Sequence, residues 1–193
     1  SSCGFVIMAW VLSKVLVAIA VPALPPKCPG SPVYPFRASS EVHVVASASC
    51  TAVKAEILAR VEGQGSVWVD PHNNGTYSVE RVTNSQIELS RITGRPFGWM
   101  GWRFTDRLMF SLWPGGDEAC EIAGCSESQG LSVGDMSTNY CNMRMLYCGT
   151  REGCSPVKHD FMMAERVAAT SIGATTNPKD CLVLEGRTPG GEL

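Results

Sequence analysis

The sequence has little charge and no concentration of it. Charged residues are 18% of its 193 residues, the formal net charge is −2, and Lys and Arg form no run. A phosphate backbone is held by clustered cations, so nucleic-acid binding is excluded as a reading. Only three histidines are present, His43, His72 and His159, and they are scattered. No CxxC pair occurs, whereas structural zinc sites commonly use two closely spaced cysteine pairs. No metal and no cofactor is therefore expected. A GxSxG nucleophile elbow and internal repeats are also missing. What remains is 45% hydrophobic, which argues against wholesale disorder and suffices for a core. The length suits one domain, or one domain with a small appendage.

Cysteine is abundant, with nine in the chain. Residues 125–148, CSESQGLSVGDMSTNYCNMRMLYC, contain three of them, and their chemistry sets the class of the protein. The N-terminus bears on that chemistry. Residues 8–24 read MAWVLSKVLVAIAVPAL, with Lys14 before a short apolar run and with small residues near Ala20 and Ala23. This is the layout of a cleaved secretory signal peptide. The rival is a membrane anchor over residues 5–24, although Ser13 and Lys14 fall in its middle and a mid-membrane lysine is costly. Cleavage would remove Cys3 and leave eight cysteines: Cys28, Cys50, Cys120, Cys125, Cys141, Cys148, Cys154 and Cys181. An even set in an exported chain implies a disulfide framework. The sequon Asn74-Gly75-Thr76 adds an N-glycosylation acceptor at Asn74.

Residues 1–24 thus read as signal peptide or membrane anchor, and residues 25–40 as a linker rich in proline. Residues 41–186 read as a single disulfide-rich β domain, and residues 187–193, RTPGGEL, as a frayed tail. From about residue 41 to 113 the pattern is period two. In VKAEILARV (53–61) apolar residues alternate with polar ones, which predicts a strand, although Glu56 and Arg60 four apart make a helix the live rival. Further short strands are predicted at Val42 and Val44, at SVWVD (66–70), TYSVERV (76–82) and QIELSRI (86–92), and around Leu108, Phe110 and Leu112. PHNNGT (71–76), TGRPFG (93–98) and WPGG (113–116) supply turns, the first with the Asn-Gly hairpin signal.

The C-terminal third predicts a helix through TNYCNMRMLYC stopped by Gly149, a weak helix over 161–170 and a returning strand at CLVLEG (181–186). The expected fold is mainly β, an antiparallel β-sandwich or small barrel with a short disulfide-clamped helical C-terminal part. If residues 138–148 form one helix, Cys141 and Cys148 lie about 10 Å apart along its axis, beyond the about 7 Å a bridge allows between Cα atoms. Each should bond elsewhere, with Cys120, Cys125 and Cys154 the nearest candidates. Cys28, Cys50 and Cys181 would then tie linker, first strand and C-terminus. Eight cysteines allow 105 pairings, and the residues do not choose among them.

Other residues carry sharper readings. Phe97-Gly98-Trp99-Met100-Gly101-Trp102 is a glycine-aromatic loop. Trp99 and Trp102 could stack on a sugar or insert at an interface, but rings covering one end of the fold explain the same residues. Asp70 with His72, and His159 with Asp160, resemble acid–base pairs, yet residues so close in sequence seldom serve as one, and turn chemistry accounts for the first.

CSESQ (125–129), STNYCN (137–142), LYC (146–148) and GC (153–154), with DPHNNGTY (70–77) and ELSRITG (88–94) upstream, resemble a pattern in small secreted cysteine-rich proteins of unicellular algae. The resemblance covers roughly residues 40–160. Gly130, Gly134 and Met136 depart from the more apolar or aromatic residues of that pattern. The family has no established activity or catalytic residues, so the resemblance implies only one exported domain framed by its cysteines.

The function expected first is a non-enzymatic secreted or cell-surface binding module, with carbohydrate or protein as ligand. The alternatives are a membrane-anchored subunit held by residues 5–24, the only route to a membrane here, and a hydrolase-type enzyme using His72 or His159.

Overall fold

The computed structural model describes residues 28–29, 36–94, 101, 103–132, 134–135, 138–174 and 176–183. The chain runs β1 (Ser39–Ala46), α1 (Cys50–Glu62), β2 (Thr76–Val82), β3 (Gln86–Ile92), β4 (Thr105–Pro114), β5 (Cys120–Ser128), α2 (Thr138–Arg144) and β6 (Met163–Thr170). Short 3-10 turns occupy Thr150–Glu152 and Pro178–Cys181. The six strands form one sheet in the order β2-β3-β4-β5-β1-β6, and every pairing is antiparallel. The protein is mainly antiparallel β, with a disulfide-clamped helical C-terminal part. The sheet stays open, with β2 and β6 as its edges, and its apolar face is covered by helices and loops.

β2, β3 and β4 form where the sequence predicts strands, whereas it predicts none at β5. β3 buries Ile87, Leu89 and Arg91, and β4 buries Asp106, Leu108, Phe110 and Leu112 on the same face. Against them pack α1 and the segment from α2 to Cys181, giving a core that includes Val53, Ile57, Met143, Leu146 and Tyr147.

Several expectations are corrected. Residues 53–61 are helical. Ser49 caps α1 by accepting the Ala52 N–H at 3.2 Å, and the Gly63 N–H closes the end on Ala59 O at 2.9 Å. The buried positions are Val53, Glu56, Ile57, Arg60 and Val61, a helical stripe, but two of them are an ion pair. The stripe is therefore invisible to a count of apolar residues. Residues 66–70 are not a regular strand. They wrap past the end of α1, where the N–H groups of Ser66, Val67 and Trp68 all converge on Gly63 O. Residues 163–170 form strand β6 instead of a helix, because pairing with β1 overrides the helical propensity of MAERVAAT. Pro178–Cys181 is a 3-10 turn; residues 184–186 of the strand expected there lie outside the described residues, as do residues 1–27, Trp99, Trp102 and the tail. α2 is also shorter than expected and ends at Arg144.

Three disulfides hold the layers together: Cys50–Cys120, Cys141–Cys181 and Cys148–Cys154. Cys125, expected to bond beside the helix, and Cys28, expected to tie down the linker, are thiols. For Cys125 the reason is parity. Cys120 and Cys125 are five residues apart on β5, so they point to opposite faces, and Cys125 is turned away from the cysteines beside the helices.

Candidate functional site: the second face of the sheet

Both helices contribute to the core on one face of the sheet. Among the described residues no helix or strand covers the other. Alternation and register define its rows. One runs His43–Ala123–Ser111–Gln86 across β1, β5, β4 and β3, and the next runs Glu41–Cys125–Met109–Glu88. Val45, Glu121 and Trp113 form a third.

His43 and Trp113 stand on strands separated by β5, yet their rings stack with centroids 5.8 Å apart and planes 13° from parallel. They meet because Ala123, between them on β5, is small; it is only 2% exposed. His43 Nε2 lies 2.9 Å from Glu121 Oε2, which fixes the ring against the indole. Gln86 Nε2 donates to Ser111 Oγ at 3.3 Å. The result is a half-buried aromatic plate edged by a carboxylate, a hydroxyl and an amide. Further along, Arg37 pairs with Glu127 at 2.8 Å and Arg107 with Glu80 at 3.1 Å. Cys28 lies over this end and donates its thiol to Arg107 O at 3.6 Å.

The covered face carries polar groups too, and most of their hydrogen bonds hold elements together, although Arg91 Nε and Nη1 and Asn142 Oδ1 are buried without a hydrogen-bond partner. The Asp70 carboxylate accepts from the backbone N–H groups of His72 (3.1 Å) and Gly75 (2.9 Å) and from Arg91 Nη2 (2.6 Å). Arg91 also donates to Asn73 and lies 3.7 Å from Asp106. Asp106 accepts from Ser128 Oγ at 2.7 Å and Asn142 Nδ2 at 2.8 Å. Asn139 donates to Asp135 and to Ala38 O, and accepts from Ser126 Oγ at 2.6 Å. The serines of CSESQ and the asparagines of STNYCN are thus the fastening between β5 and α2. Burial pushes the carboxyls of Asp106 and Asp135 up, against the hydrogen bonds that each accepts. A second knot forms around Glu165, which accepts from Arg144 at 2.5 Å, Tyr140 at 2.7 Å and Tyr147 at 2.9 Å. Burial raises both phenols well above their ordinary value.

The sequence-derived candidates fare unequally. His72 is half-buried, with Nδ1 on the Asp180 carbonyl at 3.2 Å; burial, only partly offset by Asp70, lowers its pKa from the ordinary value. His159 gives its backbone N–H to Glu56 at 2.7 Å. Asn74 is exposed in its turn, at φ 58°. Trp99 and Trp102 lie outside the described residues. Sequence reading missed His43 and Trp113. Their strand parity could place each on this face, but nothing local tells which strands are neighbours. No group of three or more His, Cys, Asp or Glu suited to a metal ion occurs among the described residues, and no helix among them is long and apolar enough to cross a membrane. Comparison with protein-family models, with curated proteins and with solved structures yields no match.

Proposed function

We propose that the chain is an exported, non-enzymatic binding module that takes carbohydrate on the second face of its sheet. The observation that carries this reading is the Trp113–His43 plate edged by Glu121, Ser111 and Gln86. A flat ring matches the C–H face of a sugar, and the polar groups beside it match hydroxyls. Three disulfides favour an oxidising compartment. The exposed sequon at Asn74 and the likeness to small secreted cysteine-rich algal proteins support export.

A glycan array tests it. Wild type binds a subset of glycans, and Trp113→Ala weakens binding about tenfold or more, a loss of about 1.4 kcal/mol, with unchanged circular dichroism. No glycan bound by wild type, or full binding by Trp113→Ala, would overturn the reading. A Trp99→Ala, Trp102→Ala double variant reports separately on the loop.

A further inference from the structure

Two thiols remain after the disulfides are assigned, Cys28 and Cys125. They come from segments far apart in sequence but share one face of the sheet. Cys125 is fully buried in the row Glu41–Cys125–Met109. Cys28 is half-buried, with its thiol 3.6 Å from the carbonyl of Arg107, whose pairing with Glu127 lies one row from the Met109–Cys125 pairing. The other cysteines described are bridged, which leaves each of these two as the thiol open to the other.

We infer that Cys28 and Cys125 are a redox-active dithiol, which a small disulfide closes to a fourth bridge that pins the segment before β1 onto the sheet. Exposure assigns the roles. Cys28 is the sulfur that solvent reaches, so its thiolate attacks one sulfur of the small disulfide, forms a mixed disulfide and expels one small thiolate. Cys125 then gives up its proton and attacks the Cys28 sulfur. The protein S–S bond forms and the second small thiolate leaves. The protein's two sulfurs lose two electrons, and the small disulfide gains them as it becomes two thiols.

The surroundings set the pace. The partner thiol, burial and the carboxylates of Glu127 and Glu41 all disfavour a thiolate at Cys28. The bridge therefore closes slowly at neutral pH and faster as pH rises. The dithiol lies one row from the His43–Trp113 plate. It stands on residues separate from those of the carbohydrate reading, and its test needs no glycan.

The experiment uses the full chain with Cys3→Ser, which removes a competing thiol. The protein is incubated with oxidised glutathione at neutral and at mildly alkaline pH, alkylated without reduction and mapped by mass spectrometry. The expected product is a peptide pair joined through Cys28 and Cys125, with both alkylation labels lost and the remaining bridges unchanged. Its formation should be several-fold faster at the higher pH and, at neutral pH, faster in a Glu41→Gln, Glu127→Gln variant. Two intact, alkylatable thiols after incubation at the higher pH, or either cysteine joined to a different one, would overturn the inference.

Discussion

Glu56 and Arg60 show how a buried charge is held in this protein. Arg60 Nε meets Glu56 Oε1 at 2.7 Å, and its other nitrogens donate to Met145 O at 2.7 Å and Cys148 O at 2.6 Å. Glu56 in turn accepts the backbone N–H groups of Val157, Lys158 and His159. Burial pulls the Glu56 carboxyl up, but these donors win and hold it below its ordinary 4.5. A carboxyl depressed by folding contributes stability above its unfolded value and loses it as pH falls through the folded value. His72, lowered from 6.5 by burial, acts in the same direction at higher pH. Asp106, raised by burial, acts oppositely, because its contribution is lost as pH rises through the folded value. Urea unfolding across pH should therefore show Glu56→Gln less stable by about 3–5 kcal/mol at pH 7, with a flatter fall below pH 4.5. A curve parallel to wild type would show that the Glu56 charge plays no part.

At the scale of elements, Gly124 decides how closely α2 approaches the sheet. It lies on the covered face of β5, where an added Cβ would stand 2.9 Å from Val42 Cγ2, 3.1 Å from Phe110 Cε1 and 3.2 Å from Met143 Sδ. Three neighbours from β1, β4 and α2 would have to move together. Gly124→Ala should cost about 1–3 kcal/mol by overpacking. Hydrogen exchange should show the protection loss centred on α2 and the facing part of β5. Unchanged protection there would mean that Met143 yields freely. The fastening through Asn139 and Asn142 belongs to the same contact. Because these amides are buried and hydrogen-bonded to Ser126 Oγ and Asp106, they fix one position of α2 on the sheet.

For the whole molecule, the disulfides differ by the length of chain they close. Cys50–Cys120 spans 70 residues, Cys141–Cys181 spans 40 and Cys148–Cys154 spans 6. Loop-closure entropy alone predicts about 4.4, 3.9 and 2.2 kcal/mol for them. Paired Cys→Ser variants should rank in that order in denaturant. The first should lose most, because it also ties the first turn of α1 to the start of β5. If the short Cys148–Cys154 bridge proved the most costly to remove, local packing around Arg60 would outweigh chain entropy.

The sequence by itself determined what depends on near neighbours. Alternation fixed the strands β2, β3 and β4, and turn residues fixed most of the breaks between them. A cysteine-rich tail around residues 120–154 indicated a clamped helical end. Where local signals conflicted with distant ones, the distant ones prevailed. The stripe of α1 contains Glu56, whose partners Val157 and His159 lie 101 and 103 residues onward, and Arg60, whose partners Met145 and Cys148 lie 85 and 88 residues onward, so no apolar helix pattern showed. β6 became a strand only because β1 offered an edge to pair with. Trp113 and His43 are far apart in sequence, and their stack exists because β5 comes between β4 and β1 with Ala123 at the crossing. Cys28 reaches the sheet by its contact with Arg107 O, a placement that no local signal carries. Parity along a strand is local and legible, whereas which strands stand side by side follows from burying one face of the sheet under the helices, and only the folded chain decides it.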